Sequence, residues 1–186
     1  VDSKGLFTAP FWNMFDWAKI DDEQECVLHN SIFMVGAIDA ARKCAGVLNK
    51  KNHDLWLLSL RKRLCKAINS CWDDKRKSYP DSIHKNGKVS TSFCQHTSFL
   101  TLLYDVVPAT KRKSALKNVL KPPTWMTRVG SPFAMLYLYE ALEKYGHQDH
   151  IIESIYRNYL PMLKAGATTV WECFPGGTAV SGVGNF

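Results

Sequence analysis

The run Ser131-Pro132-Phe133-Ala134-Met135-Leu136-Tyr137-Leu138-Tyr139-Glu140-Ala141-Leu142-Glu143-Lys144-Tyr145-Gly146 decides the class of fold. Ser131 is suited to cap a helix, and Pro132 to its first turn, where a missing N–H is no loss. Phe133, Leu136, Tyr139, Leu142 and Tyr145 then recur at helical spacing until Gly146 closes the run.

Working outward, the same period returns on both sides. Ile152, Ile155, Tyr156, Tyr159 and Leu163 predict a helix from about Gln148 to Leu163. Upstream, a short helix is expected from Ala109 to Leu120, stopped by Pro122-Pro123, and another from about Ser92 to Asp105 on Phe93, Phe99, Leu100, Leu102 and Leu103. Leu57, Leu60, Leu64, Ile68 and Cys71 give an amphipathic helix with Arg61, Lys62, Arg63 and Lys66 on its wet side, after a break at Asn49 to Asn52. The first helix follows Asp21-Asp22-Glu23, read as its cap. Its two apolar lines, one through Val27, Met34, Ile38 and Ala45 and one through Leu28, Ile32 and Val35, make it an inner helix. Asp73 to Ser90 reads as a long polar loop, the opening stretch to Asp22 as an aromatic irregular segment, and Thr168 to Glu172 as a short strand. The expected class is all-α, built of three antiparallel helical hairpins.

Composition bounds the rest. The chain has 186 residues, 46% hydrophobic and 22% charged, which suits one packed domain. No run of eighteen apolar residues is present, so no membrane partner is expected. The net charge of +7 comes from clusters such as Arg61-Lys62-Arg63, Lys75-Arg76-Lys77 and Lys111-Arg112-Lys113, scattered over wet faces and turns without interleaved aromatics, so no nucleic acid is expected either. The six cysteines form no Cys-x-x-Cys pair and have no histidine at zinc spacing. They read as buried free thiols in a reducing, cytoplasmic setting, with no metal and no cofactor. The start, Val-Asp-Ser-Lys-Gly, lacks a secretion pattern, and a first residue other than methionine suggests a processed product or an internal piece.

One segment has the look of a functional turn: Ala165-Gly166-Ala167-Thr168-Thr169-Val170-Trp171-Glu172-Cys173-Phe174-Pro175-Gly176. Small residues and threonines deliver the Glu172 carboxylate beside an indole, a way to present an acid next to a sugar-stacking face. Trp12, Trp17 and Trp171 are further candidate platforms, with Asp16 as an acceptor for sugar hydroxyls and His96 at a helix start. The bland readings put the tryptophans in the core, Asp16 in a loop or cap, and His96 and His29 among structural residues; His53, His84, His147 and His150 are expected to be solvated.

Gly166-Ala167-Thr168-Thr169-Val170-Trp171-Glu172 resembles the signature of the α-L-rhamnosidases of glycoside hydrolase family 78, whose glutamate in that run is the general base. Phe15-Asp16-Trp17, Gln95-His96-Thr97-Ser98 and Gly130-Ser131-Pro132-Phe133 resemble further segments of that family, in the family's order. The resemblance implies an (α/α)6 toroid of twelve helices and hydrolysis of terminal α-L-rhamnosides with inversion, in which Glu172 is the base. Asp16, Trp171, Trp12, Trp17 and His96 would then contact a rhamnose-containing glycoside.

The chain departs from that pattern at both ends. The family's general acid lies before the segment matching Phe15 to Trp17, and a histidine motif follows the base; neither has a counterpart among these residues. Twelve helices need on the order of 300 residues, so residues 1–186 are expected to form a single partial catalytic domain, about half of the toroid, and to be inactive alone. Open helix edges then call for a covering partner, either the missing half-domain or a second copy in a homo-oligomer. A different class of reading is a non-catalytic, self-associating helical module or interaction scaffold. The glycine-rich tail from Pro175 onward reads as a loop leading to an element beyond it.

Overall fold

The computed structural model describes residues 4–8 and 12–174, so the tail from Pro175 onward and Phe11 of the opening stretch lie outside the described residues. Among the described residues the helices are α1 (Leu28–Val47), α2 (Lys51–Ser70), α3 (Gln95–Leu103), α4 (Ala109–Leu120), α5 (Pro132–Lys144) and α6 (Gln148–Lys164). Two short strands, β1 (Cys26–Val27) and β2 (Ser82–Ile83), pair antiparallel, with Cys26 opposite Ile83 and Val27 opposite Ser82.

The helices pack as three hairpins, α1 on α2, α3 on α4 and α5 on α6, while α1, α3 and α5 also pack side by side. This makes α1, α3 and α5 an inner row and α2, α4 and α6 an outer one. Burial follows: α3 is buried at every position from Gln95 to Leu102, whereas α2 buries only Leu64, Ala67 and Ile68. Leu28, Ile32 and Val35 of α1, Phe99, Leu100 and Leu102 of α3, and Ala134, Met135 and Leu138 of α5 belong to one continuous core. Gly36 lets the end of α3 approach α1, since a Cβ there would lie 2.6 Å from the Tyr104 ring. No helix among the described residues is long and apolar enough to cross a membrane.

The N-terminal ends of the inner helices are belted together by backbone hydrogen bonds between connecting segments. The Leu28 N–H donates to the Asp81 carbonyl (2.9 Å) and the Asp81 N–H to that of Ser92 (3.0 Å). Further along, the Gln95 N–H donates to the Thr127 carbonyl (2.8 Å), and the Thr127 N–H to that of Phe93 (2.9 Å). Helix starts carry orphan N–H groups, and here other segments supply the acceptors.

Several local expectations change for that reason. Asp21-Asp22-Glu23 does not cap α1: the helix begins at Leu28, its N-cap Val27 makes no side-chain cap bond, and the Asp81 carbonyl does the work. Asp21 instead accepts from Gln24 Nε2 (3.0 Å), Ser82 Oγ (3.0 Å), His84 Nε2 (2.7 Å) and Ser90 Oγ (2.6 Å), so His84 is a partner and not merely solvated. The expected loop from Asp73 to Ser90 contains β2, and its Ser78 to Ile83 are buried. Thr168 to Glu172 forms no strand. The break before α2 is shorter than expected: Asn49 takes a left-handed φ of 54°, and the helix resumes at Lys51. Among the described residues the six cysteines form no disulfide, yet Cys44 is exposed and Cys65 and Cys71 are half-buried; only Cys26, Cys94 and Cys173 are buried.

Ile32 is fully buried at the middle of the inner row. Ile32→Ala is expected to lower stability by about 2–5 kcal/mol, read as a fall in the denaturant midpoint with an unchanged slope.

Candidate functional site

Three segments distant in sequence meet on one carboxylate. The Asp16 side chain has 0% exposure, as has that of His96. His96 Nε2 donates to Asp16 Oδ2 at 2.7 Å, the Gly130 N–H donates to the same oxygen at 2.8 Å, and Ser131 Oγ donates to Oδ1. Burial pushes the Asp16 carboxyl up, but the hydrogen bond and charge of His96, with Ser131 and Gly130, together outweigh it and hold the group below the usual carboxylate range. Ser131 is therefore not a side-chain cap of α5, although it stands at the N-cap position with Pro132 behind it.

The local backbone makes this possible. Phe15 sits in the core, its ring edge-on to Phe33, His96, Phe133 and Tyr137 and tilted on His29. Asn13 holds the preceding turn: its carbonyl accepts from His29 Nε2 (2.8 Å), and its side chain joins Gln24 and Asn30. On the far side, Gln95 bonds the Val119 carbonyl (2.8 Å) and Thr127 Oγ1 bonds the Lys19 carbonyl (2.9 Å). The approach leaves no room at Gly130, where a Cβ would fall 1.8 Å from the Trp17 carbonyl oxygen.

The candidate residues separate into a buried set and a surface set. Asp16 and His96, expected against a sugar, present no side-chain surface to a ligand in this geometry. Trp12, 80% exposed, and the half-buried Trp17 line a cleft of about 580 Å³, together with Asn13, Lys19 and the acidic run Asp21, Asp22 and Glu23. Asp22 is raised above the usual range by burial and by the charges of Glu23, Asp81 and Asp21. Sequence reading treated that acidic run as a helix cap and missed it as a cleft wall; acids so near Trp12 and Trp17 were the available signal.

Trp171 and Glu172 lie in the loop after α6 and are not among the residues lining that cleft. Trp171 is half-buried against the core, Glu172 is exposed, and Cys173 and Phe174 are buried. The Phe174 N–H donates to the Gly130 carbonyl at 2.9 Å, which ties the loop to the glycine that serves Asp16. Burial raises the Cys173 thiol, and so do the carboxylates of Glu172 and Asp16, so this residue is close enough to feel both. Among the described residues, no group of three or more histidine, cysteine, aspartate or glutamate side chains is placed to hold a metal ion.

Two predictions follow from this geometry. In Gly130→Ala the obstacle is backbone, so the loss of stability is expected to exceed the roughly 1–3 kcal/mol usual for overpacking, measured by denaturant unfolding. His29 is buried and its pKa falls from 6.5 to about 4, chiefly by burial and further by the charge of His96, against the opposing Asn13 bond. The unfolded chain then binds a proton between these two values that the folded chain does not. Stability is expected to be complete above pH 6.5 and to fall by about 3 kcal/mol on acidification to pH 4. His29→Gln should flatten that part of the stability profile. Below it, the lowered Asp16 adds a second loss as pH drops beneath the ordinary carboxylate value of 3.8.

Comparison with known proteins agrees with the hairpin row. The family model described as the bacterial alpha-L-rhamnosidase 6 hairpin glycosidase domain matches residues 3–184. A family 78 rhamnosidase of Bacillus sp. GL1 superposes with a TM-score of 0.90 at 32% identity, covering 95% of this chain and 19% of that one. A rhamnosidase from Klebsiella oxytoca, solved with rhamnose bound, gives 0.74 at 20% identity over 99% of this chain and 35% of its own. An α-L-rhamnosidase from Dictyoglomus thermophilum gives 0.63 at 21% identity over 94% and 20%. The last two show likeness of fold alone, and the chain spans 19–35% of the length of these three relatives. No curated protein matches the chain. With the match running over nearly every residue, from the opening loop through all three hairpins, the chain belongs to the six-hairpin glycosidase domain family of bacterial α-L-rhamnosidases.

Proposed function

We propose that this chain supplies the base-bearing part of an inverting α-L-rhamnosidase site, with Glu172 as the general base. The observation that carries the reading is the loop after α6. It presents an exposed carboxylate next to Trp171, while Cys173 and Phe174 after it are buried and Phe174 is bonded to Gly130. Family membership supports a glycoside hydrolase, and the names of the relatives point to rhamnosides as substrates.

In this reading Glu172 takes a proton from a water as the water oxygen bonds to the anomeric carbon, while the bond to the leaving oxygen breaks on the opposite face. The leaving oxygen receives its proton from a carboxylic acid about 6.5–9.5 Å away. A base must be ionised at working pH, which suits a carboxylate left in contact with water. Trp171, Trp12 and Trp17 offer faces for the apolar side of a pyranose. Asp16 and His96 hold the floor beneath instead of touching the sugar.

The proton donor comes from a part of the domain outside these residues, so the isolated chain is inactive. Further hairpins of the same domain cover the open edges, where Val47, Leu48, Leu55 and Trp56 are exposed at one end and Leu136, Ile152, Tyr156 and Leu163 at the other. Exposed apolar side chains of this kind are what a packed neighbour removes from water.

Rhamnose release from an aryl α-L-rhamnoside tests this. The protein carrying the complete domain is expected to lose at least 10³-fold in kcat on Glu172→Gln, with proton NMR of the first-formed product showing the inverted anomer. Residues 1–186 alone are expected to give no turnover. Turnover by that chain that vanished in Glu172→Gln would overturn the external donor, and full activity of Glu172→Gln in the complete protein would overturn the base.

A further inference from the structure

We propose that Asp16 is a positioning residue for the Glu172 loop, acting through Gly130 and Ser131; this rests on the reading of Glu172 as the base. Among the described residues the Glu172 side chain makes no hydrogen bond, so its place is set by its backbone. That backbone is fixed two residues later, where the Phe174 N–H meets the Gly130 carbonyl at 2.9 Å. Two residues of chain reach about 7 Å at most, which keeps the Glu172 backbone on a short arc about that bond.

The direction of the Gly130 carbonyl is in turn set on both sides by one side chain. Asp16 Oδ2 accepts the Gly130 N–H just before it, and Asp16 Oδ1 accepts the Ser131 hydroxyl just after it. The carbonyl between these two grips has little freedom to turn. The Trp17 backbone, adjacent to Asp16 in sequence, closes the space where a side chain on residue 130 would stand. His96 completes the grip by holding the carboxylate from beneath at 2.7 Å.

A carboxylate suits this place because all three partners donate to it and its charge strengthens each bond. An asparagine at position 16 has one acceptor oxygen for His96 and Gly130, must turn its amide to the Ser131 hydroxyl with that bond reversed, and loses the charge that strengthens all three bonds. The Asp16 side chain has no exposed surface, so its effect on chemistry passes through the loop.

The thiol of Cys173 lies between the anchor and the base and reports on the loop. Burial and the carboxylates of Glu172 and Asp16 raise it, so an outward move of the loop lowers the pH at which it reacts.

The test compares wild type with Asp16→Asn, Ser131→Ala and Glu172→Gln, reading amide exchange at Phe174 and the pH profile of Cys173 alkylation by peptide mass. Asp16→Asn is expected to speed Phe174 exchange by on the order of tenfold or more while α1 amides such as Ile32 stay protected. Ser131→Ala keeps both carboxylates, so a downward shift of its Cys173 profile, with faster Phe174 exchange, reports movement alone. Glu172→Gln should leave Phe174 protection unchanged. Unaltered Phe174 exchange in Asp16→Asn overturns the proposal. If Asp16→Asn loses protection everywhere, Ser131→Ala decides: selective loosening at Phe174 and Cys173 supports positioning, and unchanged or uniform behaviour overturns it. The base reading fails separately, by retained turnover in Glu172→Gln.

Discussion

A carboxylate with no exposed surface is expensive to bury unless every lone-pair direction finds a donor. Asp16 finds three, from the start of α3, from Gly130 in the turn before α5 and from Ser131 at the N-cap position of that helix. The arrangement is possible only if α3 and α5 lie side by side with their N-terminal ends level and the opening loop laid across them. Any slip of one helix along another would strand a donor or leave the charge uncompensated, and breaking such a buried set costs several kcal/mol. The charge therefore acts less as a source of net stability than as a constraint on which of many helical packings is allowed.

The apolar core could not impose that constraint alone. Ile32, Phe99, Leu100 and Leu138 would be buried in a range of similar hairpin arrangements, because hydrophobic contact is not directional. The belt of backbone hydrogen bonds through Asp81, Ser92, Gln95 and Thr127 gives direction at the same end of the molecule. Loops that need precision are thus gathered where the polar contacts are, and the opposite ends of the hairpins are joined by short turns such as that at Asn49.

The helices were legible in the sequence because each is a local pattern. The start of α5 at Pro132 and the whole of α4 stand where period, proline and cap residues placed them. What misled was the use of polar side chains. Ser131 has the chemistry of a cap but gives its hydroxyl to a residue far away in the chain. Asp21 has it too but binds Ser82, His84 and Ser90. A side chain that can bond locally or at long range looks the same in sequence. Strands β1 and β2 were missed because two residues carry no alternation to detect. Of the candidate site, the segments around Asp16, His96 and Gly130 were singled out as separate weak motifs; that they converge on one carboxylate is a fact of packing and could not be read from spacing.

The division of roles proposed for Asp16 and Glu172 follows from what each environment does to an acid. A group that must exchange protons with water has to be reached by water, and an exposed loop position provides this without holding the group still. A group that must hold still is best buried, and a buried carboxylate surrounded by donors stays charged and fixed but can do no chemistry on a substrate. One carboxylate cannot meet both demands. If Glu172 is the base proposed above, the bond from Phe174 to Gly130 lets two carboxylates share them, rigidity on one side of Gly130 and reactivity on the other. For the same reason the loop after α6 needs no regular secondary structure: the order it requires is borrowed from the ends of α3 and α5, where the buried charge has already fixed the backbone.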